Sequence, residues 1–294
     1  MYTNKKGLST SWINAATAFD NDYDKCGWKS CTQLISPPII ALLRERHANE
    51  IVEDISDAIW KILGSATHVI LEKSAEAEAI TEQRIIIKVL GKEVSMKNDR
   101  CEKIPETDPI EYHLKDYKVV RVNAWKYGAK VEQIAQLNIL RFGLATYGFN
   151  VTKLSLEMLL RDWNDLDAIK SPHDYPDAQV MPVQVPLWDI AQAELYLQER
   201  VQLFIDCETM SDNELPICTP QERWQRPDKF AVLKPKAAKA YRTFLSRPEA
   251  DDFLAKMKTP GYHVEFRPGE CVRCTRFCSV NKWCRFYHQI NPAF

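Results

Sequence analysis

The segment 83–99 constrains the fold most. Arg84-Ile85-Ile86-Ile87-Lys88-Val89-Leu90 is a run dominated by β-branched residues, Gly91-Lys92 offers a turn, and 93–99 returns as a second strand. A hairpin here breaks a region of helical spacing. Upstream, Ile51, Ile55, Ala58, Ile59 and Ile62 repeat at the helical period and predict a helix over 50–73. His68 and Glu72, four apart near its end, would share a face. Pro37-Pro38 opens a shorter helix over 39–46, and 1–35 reads as irregular.

Downstream, 104–110 carries two prolines and two acids and reads as a loop. A third strand is expected over 112–120, then a helix over 129–147 closed by Gly148. Strands over 153–163 and 179–185 and a helix over 189–204 follow. Residues 211–229 are proline-rich and polar, a boundary before a small α+β region with strands at 230–233, 240–245 and 262–266 and a helix at 248–257. The pattern predicts three parts: an irregular segment 1–35, a core 36–210 and a C-terminal region 211–294. The fold class is mixed α/β, a central mixed sheet flanked by helices, with a small cysteine-rich α+β region at the end.

A chain of 294 residues can bury a substantial core, and 45% hydrophobic with 27% charged residues places it among globular rather than disordered chains. The net charge of −1 leaves nucleic-acid binding to a local basic groove. No stretch approaches the ~20 apolar residues of a membrane span, and Met1-Tyr2-Thr3-Asn4-Lys5-Lys6 lacks a signal-peptide core. A cytoplasmic protein without membrane association is expected.

The chemistry concentrates in Asp99 and Asp116-Tyr117-Lys118. Strand alternation sends Asp116 and Lys118 to one face and Tyr117 to the other. Asp99, ending the previous strand, meets them if the two strands are neighbours. Two adjacent carboxylates favour a cation between them, and oxygen ligands suit Mg²⁺ or Mn²⁺. An ammonium at Lys118 would orient a water or stabilise charge developing on a phosphate. Asp116 and Lys118 are both expected near the surface.

Nine cysteines in a reducing compartment also need a role, and Cys271, Cys274, Cys278 and Cys284 lie within the last 24 residues. Such clustering points to metal or cluster ligation rather than disulfides. Cys274-x3-Cys278-x5-Cys284 supplies three thiols; Zn²⁺ or an iron–sulfur cluster requires a fourth, from Cys271 or Cys218. Cys26, Cys31, Cys101 and Cys207 are read as plain thiols. Arg273, Arg276, Phe277, Trp283, Arg285 and Phe286 interleave charge with rings, which suits either frayed DNA or local packing.

Taken in order, the helix with Gly64 and His68, the hairpin ending in Asp99, the strand with Asp116-Tyr117-Lys118 and the helix with Gln136-Leu137-Asn138 resemble the PD-(D/E)XK nuclease superfamily in its RecB-like branch. Leu160-Arg161-Asp162-Trp163, Pro220-Gln221-Glu222-Arg223-Trp224 and Arg267-Pro268-Gly269-Glu270 resemble phage-encoded exonucleases of that branch. The resemblance covers most of 36–289. It implies a restriction-endonuclease-like core and a DNA exonuclease of phage or prophage origin, acting in recombination or replication in the cytoplasm of a bacterial host. It implies that His68, Asp99, Asp116 and the Tyr117 carbonyl ligate Mg²⁺ or Mn²⁺, that Lys118 is the catalytic lysine, and that Gln136 positions DNA. Leu140 departs from the pattern, where a tyrosine is expected. The resemblance further implies a [4Fe–4S] cluster, in preference to Zn²⁺, on Cys218, Cys274, Cys278 and Cys284. A recombinase or single-strand annealing protein is the implied partner besides DNA. The rival reading is a catalytically silent DNA-binding or recruitment protein that keeps this fold.

Overall fold

The computed structural model describes residues 2–21, 26–257 and 259–292. The protein is a mixed α/β chain of two compact units, 1–41 with 49–209 and 42–48 with 210–294. Its elements run β1 (Tyr2–Thr3), α1 (Thr10–Asn21), β2 (Lys29–Ser30), α2 (Cys31–Ile35), α3 (Pro38–Arg46), β3 (Glu53–Asp54), α4 (Ile55–Lys73), β4 (Ile80–Thr81), β5 (Arg84–Val89), β6 (Lys92–Lys97), β7 (Arg100–Lys103) and β8 (Tyr112–Val120). Then come α5 (Val122–Lys126), α6 (Val131–Thr146), β9 (Val151–Leu160), α7 (Asp165–Lys170), β10 (Val180–Gln184) and α8 (Ile190–Glu208). The C-terminal elements are β11 (Lys229–Leu233), β12 (Arg242–Phe244), α9 (Arg247–Ala255), β13 (His263–Arg267), α10 (Val272–Arg276), a 3₁₀ turn (Asn281–Trp283) and α11 (Arg285–Ile290).

The central sheet has the order β10-β9-β8-β7-β4. Within this sheet, among the described residues, only β8 and β9 pair in parallel, joined through α5 and α6, because a parallel pair needs a crossover. A second, three-stranded sheet holds β2, β6 and β5. The β5–β6 turn is Leu90-Gly91, both at positive φ (49° and 78°), as a two-residue primed turn requires. Helix α6 is enclosed on most sides, with Leu137, Ile139, Leu140 and Leu144 buried in the core with Leu114, Leu154 and Leu156 of β8 and β9. Its buried Asn138 is satisfied by the Ile134 and Pro186 carbonyls and the Trp188 N–H. Gly148 at φ 87° ends the helix.

Two expectations need correction. Residues 1–35 are not irregular: α1 packs against α4 around Ala16, Ile55 and Ala58, and β1 pairs with β3. Asp54, which caps α4 by accepting from the Ser56 N–H, also accepts from the Thr3 hydroxyl and the Lys5 N–H. Those hydrogen bonds hold its carboxyl far below the usual range. These contacts join segments far apart in the chain, which a local reading of 1–35 does not contain. Second, β6 does not border β8. The chain leaves the small sheet at Asn98-Asp99 and re-forms as β7, and β7 is the antiparallel neighbour of β8.

In the second unit β11 lies between β12 and β13, with α9 packed on the sheet around Ala231, Val232, Leu233 and Ala250. The cysteines follow in and around α10 and α11. Among the described residues no helix is long and apolar enough to cross a membrane.

Candidate metal centre

Strand register builds the site. The β4–β7 pairing (Thr81 with Arg100) and the β5–β6 pairing (Arg84 with Lys97) follow one antiparallel register. Between them that register sets Glu82 opposite Asp99, and the Glu82 N–H donates to the Asp99 carbonyl at 3.4 Å. On the other side, β7 pairs Arg100 with Lys115, so one step further Asp99 faces Asp116. Three carboxylates therefore lie in one cross-strand row, Glu82–Asp99–Asp116.

Helix α4 brings His68 to the first two. His68 Nδ1 is 3.5 Å from Glu82 Oε1 and 3.6 Å from Asp99 Oδ1. One ligand atom from each of His68, Glu82 and Asp99 lies within 4.8 Å of the others. Ligand atoms around a hexacoordinate Mg²⁺ at ~2.1 Å stand about 3–4 Å apart, so this donor set fits such an ion after small side-chain adjustment. The His68 ring meets the Tyr117 ring edge-on at 5.8 Å, and the Tyr117 N–H donates to Asp99 Oδ2 at 2.8 Å. Asp99 is thus aimed by a backbone bond from the strand that carries Asp116.

The electrostatics fit the same ion. Burial, then the neighbouring Asp116 charge, pushes Asp99 up to about 6. Its contact with Glu82 is the largest influence on His68 and holds the imidazole above its ordinary value, with burial opposing and Asp99 assisting. Burial pushes Glu82 up, but His68 and Lys97, which pairs with it, outweigh burial and hold it low. Without a metal the centre accommodates its charge by binding protons, the usual signature of a site short of positive charge.

Asp116 stands apart from the three. It is 5% exposed, a correction to the near-surface placement expected from its polar sequence context. Its Oδ2, without a well-directed hydrogen bond, is ion-paired with the Lys118 ammonium, and its Oδ1 accepts from Gln136 Nε2 at 3.4 Å. So the structure gathers His68 with Asp99, and Lys118 and Gln136 with Asp116. Glu82 completes the candidate metal group with His68 and Asp99. Nothing in the local sequence marks Glu82, but counting back from the Leu90-Gly91 turn pairs it with Asp99. Its φ of 51°, uncommon for a residue with a Cβ, shows a backbone held in place by the bend between the two sheets.

None of the nine cysteines forms a disulfide. Burial, then Glu222, pushes Cys218 up to about 12, with Cys278 and Cys284 adding to the rise. Burial pushes Cys274 to about 11, with Cys271, Cys278 and Cys284 adding. Cys278 and Cys284 thus act on both Cys218 and Cys274, though among the described residues no three of these thiols approach within 4.8 Å. Tetrahedral zinc, with Zn–S near ~2.3 Å, would need sulfurs about 3.8 Å apart. The connector is tied to this region by the backbone: the Arg273 N–H donates to the Arg223 carbonyl, and Gln225 bridges to Cys271. Asn281 Nδ2 donates to the Cys274 carbonyl. Around the rings and guanidiniums that suit either frayed DNA or local packing, Arg276 chelates Glu270, Arg273 lies over Trp224, Arg223 lies over Phe286, and Phe277 packs on Trp224.

No family model and no curated protein matches the chain. Eight chains of solved structures do. One, the crystal structure of SSO0001, aligns over 65% of this chain and 84% of its own at 17% identity, with a TM-score of 0.43.

Proposed function

We propose that the chain is a metal-dependent deoxyribonuclease of the PD-(D/E)XK type, an exonuclease of the RecB-like branch. The observation that carries this reading is the carboxylate row Glu82–Asp99–Asp116, flanked by the His68 imidazole on one side and the Lys118 ammonium on the other. His68, Glu82 and Asp99 would hold a Mg²⁺ or Mn²⁺ ion, which when bound would supply Lewis acidity toward a phosphoryl oxygen and an acidified water. Lys118 stabilises the charge that grows on the phosphate, while Gln136 and Lys118 together fix the Asp116 carboxylate. The Tyr117 N–H keeps Asp99 in the orientation it needs toward His68. In the second unit, Cys218, Cys274, Cys278 and Cys284 are assigned to a [4Fe–4S] cluster that ties the 211–228 connector to the C-terminal helices.

The test is digestion of end-labelled linear and closed circular DNA by anaerobically purified protein with Mg²⁺, Mn²⁺ or EDTA. Because Asp116 is buried, Asp116→Asn is the suitable variant, alongside Lys118→Ala. Metal-dependent loss of linear DNA by wild type alone, with circles surviving, supports an exonuclease. Full activity in either variant, or none in wild type, refutes the reading.

A further inference from the structure

A cavity of about 160 Å³ opens beside the metal group, bordered by Ser30, Thr32, Arg84, Ser95, Lys97 and Gln136. A single water needs only about 10–15 Å³ by that measure. Alternation along β5 and β6 puts Arg84, Ser95 and Lys97 on one side of the hairpin, where Arg84 Nη1 donates to Ser95 Oγ at 2.8 Å. Parallel pairing of β2 with β6 sets Ser30 beside Ser95. Among the described residues no carboxylate pairs with the half-buried Arg84, and none borders the cavity.

The polar part of the wall offers a guanidinium, an ammonium, an amide and three hydroxyls, beside a floor of Cys31, Met96 and Leu140. That inventory is rich in donors and complements a compact oxyanion with several acceptor oxygens. The nearest carboxylates, Glu82 and Asp116, are paired with Lys97 and Lys118 and so oppose an anion only weakly. Lys97 and Gln136 belong to both places: each borders the cavity and each touches one carboxylate of the row.

We propose that this cavity binds a phosphate group, with Arg84 as its principal charge partner. Its assignment to a phosphate of the DNA strand, one step from the bond being cut, rests on the nuclease reading; the anion chemistry does not.

The first experiment titrates inorganic phosphate into the full chain without added divalent ion, at ionic strength held constant with chloride, and follows thermal stability. A saturable rise in wild type, reduced in Thr32→Val and abolished in Arg84→Gln, is expected; Thr32 is exposed, so its variant tests the site even if Arg84→Gln folds poorly. A flat response in wild type, or an equal rise in Arg84→Gln, overturns the proposal. The second measures binding of single strands ending in phosphate or hydroxyl. Arg84→Gln should weaken binding about tenfold or more. If only the phosphorylated strand suffers, the ligand is a terminal phosphate; if both suffer, it is an internal one; equal binding by variant and wild type contradicts the site. A protein that answers to phosphate yet never cleaves DNA keeps the cavity and loses the nuclease; one that cleaves with a flat phosphate response does the reverse.

Discussion

Glu82 and Asp99 face each other across the bend where one long hairpin passes from the small sheet into the central one, and both carboxylates reach the same nitrogen of His68. The candidate metal group is thus built from one hairpin and one helix, and Asp116 adjoins it only through the next strand.

Glu82→Gln should cost metal affinity. The amide keeps the shape but loses the charge that holds His68 and Lys97, and losses of ~10–100-fold are typical when a metal site loses a supporting group. Calorimetric titration with Mn²⁺ reads the change. Wild-type affinity in the variant removes Glu82 from the centre.

Metal affinity should rise with pH. Asp99 keeps its proton up to about 6 and His68 holds its own above its ordinary value, so binding must expel protons below those points. The metal-free protein carries the opposite slope. A carboxyl whose pKa is higher folded than unfolded binds protons better in the fold, so stability falls as pH climbs from about 4 to about 6. The His68 contribution is full below about 6.5 and is also lost as pH rises through its elevated pKa. Thermal melts of metal-free wild type and Asp99→Asn across pH 4–7 check the sign. An equal slope in both would leave Asp99 out of the linkage.

Gly269 in the Arg267-Pro268-Gly269-Glu270 stretch should tolerate no side chain. A Cβ there would lie 2.1 Å from the Arg226 carbonyl oxygen and 3.1 Å from the Pro227 carbonyl carbon, both backbone atoms that cannot swing aside. Gly269→Ala is expected to destabilise by at least ~1–3 kcal/mol, as overpacking does, read by chemical denaturation. Unchanged stability would show that the connector yields there.

The cysteine assignment predicts that Cys218→Ser lowers the iron content of anaerobically purified protein, as Cys278→Ser does, whereas Cys207→Ser, a buried thiol of α8, leaves it unchanged. Zinc in place of iron, or iron lost with Cys271→Ser but retained with Cys218→Ser, would reassign the site. Before loading, burial keeps Cys218 and Cys274 protonated at neutral pH, so alkylation of the metal-free protein should be slow at both.

Much of the fold follows from local patterns. The third strand and the strands at 229–233 and 263–267 lie within a residue or so of their apolar runs, and Gly148 ends α6 where the glycine stands. These features depend on period, turn chemistry and caps, all carried by residues near one another in the chain. β7 escaped because four residues, Arg100–Lys103, are too few for a period to register.

The sequence by itself determined where most of the longer helices and strands lie, the order of His68, Asp99, Asp116 and Lys118 along them, and the crowding of thiols at the end. Only the tertiary structure decided that Asp116 is buried against Lys118 and Gln136, that Glu82 completes the group around His68, and that Arg84 borders a donor-lined cavity. The reason is register. Which residues oppose each other across strands depends on where the chain leaves one sheet for another, and that break at Asn98-Asp99 is set by packing between distant segments, not by any pattern a short window contains.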